Sequence, residues 1–230
     1  EQSDVNPQTF YSKNKLEIEK GLDEMSGNGF SPIALRLATV YGMSPRIRFD
    51  VVINMLVAMA KTTNKIKLNS NGLAWRPNLY IDDACEAFYQ SIITVFDNNI
   101  LNIINIGRDE DNLKIIDIAN LIKNEIPGTE ILFLEKLKDN SDNLFKDKKI
   151  QDGVDTRTYK VSFQKSKEIF CAPPCKWNIR DGIRQLLKDF SDINLSFEDV
   201  NNSDFYRLQH LDLLLTNNFI NKNLFWIRDY

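Results

Sequence analysis

Pro32-Ile33-Ala34-Leu35-Arg36-Leu37-Ala38-Thr39-Val40-Tyr41 is a nearly continuous apolar run closed by Gly42. Its length and composition fit a strand buried on both faces, as in a parallel sheet. On its N-terminal side, Asn6-Pro7-Gln8-Thr9 is turn and cap chemistry. Residues 10 to about 25, rich in Lys, Leu, Glu and Ile, then predict a helix that Ser26-Gly27-Asn28-Gly29 stops. On the C-terminal side, residues 49–61 (FDVVINMLVAMAK) return to helical length and spacing.

The alternation continues outward. A short strand is expected at residues 64–68 and an extended piece at 75–81, after which Asp82 can cap a helix reaching about Asp97. Residues 100–106 (ILNIINI) read as a strand, 115–125 as a helix stopped by Ile126-Pro127-Gly128, and 131–134 as a further strand. Residues 136–153 are charged with little apolar periodicity, the pattern of a loop or lid. An amphipathic helix follows at 179–190, and the last stretch, polar and aromatic by turns, carries one helix around 206–215. The fold class is α/β.

Composition excludes several classes of function. At 230 residues, 43% hydrophobic and 27% charged, the chain is neither collagen-like nor wholly disordered, and its size allows one large domain or two small ones. A net charge of −3 provides no field for gathering nucleic-acid phosphates, so nucleic acid is not an expected partner. No window holds eighteen uninterrupted apolar residues, and Glu1-Gln2-Ser3-Asp4 is neither basic nor apolar, so neither a membrane span nor a secretion signal is expected. Three cysteines (Cys85, Cys171 and Cys175), odd in number and sparse, suggest reduced thiols and a cytoplasmic setting. Cys171 and Cys175 imitate half of a zinc site, but with His210 the only histidine no metal site is expected. The chain opens without an initiator Met, on residues that already approach a helix, which reads as a piece cut from a longer protein.

Tyr11 and Lys15 stand four apart on the first predicted helix and so share one face, a single turn apart. That spacing suits proton transfer, because an ammonium within a few ångströms favours a phenolate and lowers a tyrosine pKa from about 10. With seven tyrosines in the chain, about 0.6 such pairs are expected by chance, and a solvated helix face is the competing reading.

The order of the surrounding segments adds to the pair. Tyr11-Ser12-Lys13-Asn14-Lys15, with Asn6-Pro7 before it, resembles the catalytic helix of the extended short-chain dehydrogenase/reductases, specifically the nucleoside-diphosphate-sugar epimerases and dehydratases. Leu35-Arg36 through Tyr41-Gly42 is similar to the strand that follows in that family, Trp75-Arg76-Pro77 through Asp82-Asp83 to a later element, and Asn105-Ile106-Gly107 to another. Asp155-Thr156-Arg157-Thr158-Tyr159 and residues 177–187 resemble elements near the family's end.

The resemblance implies the C-terminal part of a doubly wound Rossmann-type domain joined to a small α/β substrate domain. Residues 1–60 would be the end of the Rossmann-type domain with its catalytic helix. Residues 61–195 would be mainly substrate-binding, with a returning strand near 100–106, and 196–230 a C-terminal extension. It implies an NAD-dependent (or NADP-dependent) epimerase or dehydratase acting through a keto-sugar, with Tyr11 as acid/base and Lys15 supporting the phenolate and holding the nicotinamide ribose. Thr39, Asn54, Arg76 and Arg157 would contact a nucleoside-diphosphate sugar, and the intact protein would be a homodimer.

The residues themselves leave alternatives: a surface ion pair for Arg76, a helix-capping role for Asn54, and plain charge pairing for Arg157 and for Arg48 with Asp50. Thr39 stands where many members have Asn, and Tyr80 where many have His. The family's glycine-rich pyrophosphate turn is not recognisable, since Gly27-Asn28-Gly29 ends a helix and does not open one. A non-catalytic remnant with a nucleotide-sugar cleft and no NAD site is therefore the second reading. A parallel sheet without its earlier strands would also leave an exposed edge that favours pairing with other chains.

Overall fold

A computed structural model describes residues 1–96, 99–134, 157–170, 172 and 174–227. In chain order its elements are α1 (Phe10–Met25), β1 (Ile33–Leu37), β2 (Thr39–Tyr41), α2 (Val52–Thr63) and β3 (Lys65–Leu68). Then come β4 (Trp75–Tyr80), α3 (Ile81–Ile93), β5 (Asn102–Ile106), β6 (Asn112–Lys114), α4 (Ile115–Glu125) and β7 (Glu130–Phe133). The remainder is helical: α5 (Gln164–Ile169), α6 (Ile179–Asp192), α7 (Phe197–Asn201) and α8 (Arg207–Thr216). The expected loop at 136–153 lies outside the described residues. The described chain forms two compact units, Glu1–Val40 with Trp75–Leu113 and Tyr159–Ile179, and Tyr41–Ala74 with Lys114–Thr158 and Arg180–Tyr230.

In the first unit, α1 begins and ends where its cap chemistry places it. Thr9 accepts the Ser12 N–H at 3.1 Å, and Ser12 Oγ accepts the Thr9 N–H at 3.0 Å, a reciprocal capping box. Gly27 and Gly29, at φ +110° and +90°, then close a tight bridge with Phe30, a geometry that L side chains rarely adopt.

The run 32–41 is not one strand. β1 pairs in parallel with β5, from Ile33 opposite Asn102 to Leu37 opposite Ile106, and the Ala38 N–H still donates to the Ile106 carbonyl at 2.9 Å. β5 ends there, so the chain loses its ladder partner and β2 joins β4 and β6 in a separate three-stranded sheet, in the order β2-β4-β6. Nor is β1 buried on both faces: its five residues are all half-buried, because among the described residues it has one neighbouring strand, whereas β5 buries Asn102, Ile104 and Ile106. Ala38, Leu79, Ala84, Ala87, Ile104, Ile106, Phe163 and Phe170 form the core of this unit.

α3 begins at Ile81 with Tyr80 at the N-cap and no side-chain cap bond, so Asp82 lies in its first turn and is not the cap. Its neighbour Asp83 reaches out of the helix and accepts the backbone N–H groups of Lys176 at 2.9 Å and Trp177 at 3.0 Å. The Trp177 ring lies 4.5 Å from that of Tyr80, which is almost fully buried, so both rings are packing residues.

The second unit pairs β3 with β7 in parallel, from Lys65 opposite Glu130 to Leu68 opposite Phe133, with α2 and α4 among the helices around it. α2 starts at Val52, three residues later than its periodicity suggests. Phe49 is instead a fully buried anchor, its ring 5.9 Å from Phe190 and 5.3 Å from Phe205. Gly182, on α6, faces the Tyr41 ring so closely that a Cβ there would meet the hydroxyl. The C-terminal stretch holds α7 and a bridge between Ile220 and Trp226 besides the single helix expected there, and Trp226 is exposed.

Candidate active site

Tyr11 and Lys15 project from the exposed face of α1, with the Lys15 ammonium 5.6 Å from the centre of the Tyr11 ring. Both border a cavity of about 480 Å³, together with Ser12, Leu16 and Glu19 from the same helix, Arg36 and Leu37 from β1, and Tyr159. A second cavity of about 570 Å³ in the same unit shares Val5, Asn6, Arg36, Leu37 and Tyr159 with the first and adds Thr39, Pro77, Asn105 and Lys160 to Phe163. The β1–β2 break places Thr39 there, because Thr39 opens the second strand where the chain leaves β5.

Arg76 stands beside this group. Its guanidinium carbon is 5.4 Å from the centre of the Tyr159 ring, and its Nη1 donates to the Trp75 carbonyl at 2.7 Å. The Lys160 ammonium in turn lies 3.6 Å over the Trp75 ring. The segment 159–160 is thus tied to β4 by two crossed cation–aromatic contacts and by the Tyr159 N–H, which donates to the Trp75 carbonyl at 3.4 Å.

Asn54 and Arg157 belong to the second unit. Asn54 is buried, its Oδ1 accepting the Gly42 N–H at 3.0 Å and its Nδ2 donating to the Arg48 carbonyl at 3.1 Å, so it holds the β2–α2 connection. Arg48 makes a two-bond fork with Asp50, at 2.9 and 2.8 Å. Arg157 is exposed. Glu19, Arg36 and Tyr159 lie in the family-like segments, but the sequence reading assigned them no role of their own in a site. The signal for Glu19 was available: it continues the four-residue step from Tyr11 and Lys15.

Away from the cavities, the first unit buries two carboxylates. Burial pushes the Asp111 carboxyl up from 3.8 to about 6, with Glu110 and Asp83 adding to the rise and Arg108 and the Ile179 N–H opposing it. Burial also raises Asp83, and it pushes the neighbouring Cys175 thiol up to about 12, which keeps that sulfur protonated and inert. A carboxyl whose folded pKa is raised stabilises the fold below its unfolded pKa and loses that contribution as pH rises through the folded one. Ionising Asp111 between about pH 4 and 6 therefore works against the fold, by up to about 3 kcal/mol. Asp111→Asn should gain stability relative to the unmodified chain by about 2 kcal/mol between pH 4 and pH 7, read from urea midpoints. A difference that stays flat across that range would contradict the assignment.

Among the described residues, no group of three or more His, Cys, Asp or Glu side chains stands where it could hold a metal ion. No described helix is long and apolar enough to cross a membrane.

The family model described as the NAD dependent epimerase/dehydratase family matches residues 1–107, the stretch that carries α1, the β1–β2 break, Arg76 and the end of β5. Over that stretch the chain is similar to this family. The fold is similar to that of solved sugar-nucleotide dehydratases and epimerases. A dTDP-glucose 4,6-dehydratase from Bacillus anthracis, solved in complex with NAD, superposes with a TM-score of 0.63 at 18% identity, over 91% of this chain and 58% of that one. A UDP-N-acetylglucosamine 4-epimerase from Bacillus cereus gives 0.62 at 19%, over 83% and 57%. An NAD-dependent NDP-hexosamine 5,6-dehydratase of tunicamycin biosynthesis gives 0.64 at 18%, over 84% and 57%. The chain thus spans somewhat over half the length of these relatives.

Proposed function

We propose that these residues carry the proton-transfer helix and part of the sugar-nucleotide pocket of an NAD- or NADP-dependent epimerase or dehydratase. One observation supports the reading above the others: Tyr11 and Lys15 stand one turn apart and border the same cavity, within the stretch that matches the family model. In this reading Tyr11, as phenolate, removes the proton from a sugar hydroxyl and later returns one, while the Lys15 ammonium stabilises the phenolate charge. The nicotinamide cofactor supplies, when bound, the acceptor for the hydrogen leaving the same carbon, and a keto-sugar results. Thr39 offers a hydroxyl to the sugar. Arg76 and Arg157 grip the diphosphate by charge-assisted bonds, and Asn54 has the smaller share because both ends of its amide already serve the Gly42 to Arg48 connection.

The fit to a dinucleotide is partial. Tyr11 and Lys15 suit the nicotinamide ribose, but Gly27 and Gly29 close a bridged turn behind α1 and present no helix N-terminus to a pyrophosphate. Two side chains do not offset the roughly 4 kcal/mol or more lost on association. The 230-residue chain should therefore bind NAD no better than about millimolar while retaining weak affinity for UDP that Arg76→Ala abolishes. Calorimetric titration with each reads both, and micromolar NAD affinity would show that the cofactor site is misplaced. The activity is tested on the intact gene product with NAD and a panel of UDP- and dTDP-hexoses, following epimer or keto-sugar by NMR. Conversion of none of them would count against the proposal, and the chain would then be a binding module without chemistry.

A further inference from the structure

Tyr11, Lys15 and Glu19 follow one another at four-residue spacing along α1, and all three border the same cavity. Their arrangement relative to one another comes with the helix; where that row stands over the strands does not. α1 contains no buried residue, and its inward side offers only Ser12, Leu16, Glu19 and Leu22 among half-buried side chains. So shallow an apolar stripe leaves the roll of a helix loosely specified, since apolar contact has no direction of its own.

A guanidinium–carboxylate fork has direction. Arg36 makes one with Glu19, Nε at 2.8 Å from Oε1 and Nη2 at 2.5 Å from Oε2. Both side chains are largely withdrawn from water, at 29% and 17% exposure, unlike the Lys20–Glu17 pair on the same helix, at 59% and 69%. Arg36 is held in turn by β1, whose register with β5 sets it opposite Asn105. The fork therefore connects the helix that carries Tyr11 and Lys15 to a strand fixed in a ladder.

We propose that the Glu19–Arg36 fork sets the roll of α1 over β1 and so places Tyr11 and Lys15 in the cavity. The proposal rests on reading Tyr11 and Lys15 as the proton-transfer pair, and Glu19 and Arg36 are positioning residues that do not touch the reacting atoms. Glutamine at 19 keeps the size and loses the charge, and lysine at 36 keeps the charge and loses the fork, so the two substitutions separate geometry from bulk.

The test uses the 230-residue chain with 3-fluorotyrosine at its seven tyrosines, where the fluorine resonance missing from Tyr11→Phe reports position 11. In Glu19→Gln and in Arg36→Lys that resonance should shift or broaden, and amide exchange across residues 13–20 should speed about tenfold or more. Exchange at Ile104 and Ile106 in the buried strand should stay as it was. The exchanged pair, Glu19→Arg with Arg36→Glu, should bring the resonance back. An unmoved resonance and unchanged α1 exchange in both single variants overturn the proposal, and so does an exchanged pair that restores nothing while the core stays protected.

In the intact protein turning over a UDP- or dTDP-hexose, each single variant should lose about 10- to 100-fold in kcat with KM within about twofold. A loss confined to KM would overturn it as well. If the unmodified protein turns over no such hexose, the reading of Tyr11 and Lys15 fails, and the fluorine comparison still decides whether the fork sets the helix.

Discussion

If Tyr11 is the acid/base group proposed above, Tyr11→Phe in the full-length protein should cost about 100- to 10,000-fold in turnover, the range in which a positioned acid/base group contributes, or about 3 to 5 kcal/mol of barrier. The affinity for UDP should stay within about twofold, because the group lost is a single oxygen at the reacting carbon and the proposed diphosphate contacts, Arg76 and Arg157, lie on other segments. Stability should stay within about 0.5 kcal/mol, since the Tyr11 ring is 72% exposed and its phenylalanine counterpart opens no cavity. That combination separates chemistry from folding. A variant that also unfolds, or that loses UDP affinity in proportion to turnover, would not carry the assignment. Turnover unchanged in Tyr11→Phe would remove Tyr11 from the reaction altogether.

The sequence disclosed the parts of this site whose cause is local. α1 was closely legible because cap chemistry at Thr9 opens it and the Ser26 to Gly29 stretch closes it, both interactions spanning three or four positions. The Tyr11–Lys15 face follows from helix periodicity for the same reason. What stayed hidden depends on partners distant in the chain. Nothing in residues 32–41 says that β5 ends opposite Leu37, so a run that looks like one strand divides between two sheets at Ala38. The Glu19–Arg36 fork joins residues 17 apart across a strand and a helix, and neither side chain is unusual where it stands. Asn54 adds a second case: the family resemblance implied a nucleotide contact and its helix position a capping role, and the bonds it makes in the structure are to Gly42 and Arg48, backbone groups in the connection before α2. A residue type suited to binding is equally suited to satisfying buried backbone, and only the surroundings separate the two.

Gly107 and Phe163 carry the same lesson into an expected result. Asn105-Ile106-Gly107 is a family-like element, and a glycine there invites an explanation by backbone freedom; yet Gly107 is not among the glycines at positive φ. The reason is contact. A Cβ on Gly107 would stand 2.6 to 3.0 Å from Cζ, Cε1 and Cε2 of Phe163, so the tip of the ring sits against bare backbone at the end of β5. Phe163 is fully buried among Ile104, Ile106, Ala84 and Ala87. Its N–H donates to Asp109 Oδ1 at 3.1 Å, and its carbonyl accepts from the Ser166 hydroxyl at 2.8 Å, so its backbone is fixed whatever its side chain does. Phe163→Ala should accordingly leave a cavity that a fixed backbone cannot close, at a cost of about 3 to 5 kcal/mol, whereas Phe163→Leu should cost about 1 to 2 kcal/mol. Gly107→Ala approaches the same contact from the other side and should cost about 1 to 3 kcal/mol through overpacking. In the double variant Gly107→Ala with Phe163→Ala, the new methyl enters the space the ring vacated, so its penalty should largely vanish and the two effects should fail to add. Urea unfolding of the four variants beside the unmodified chain measures all of these values. Strict additivity, or a Phe163→Ala loss below about 1 kcal/mol, would mean that this ring does not fasten the segment 159–163, which borders the Thr39 cavity, to β5.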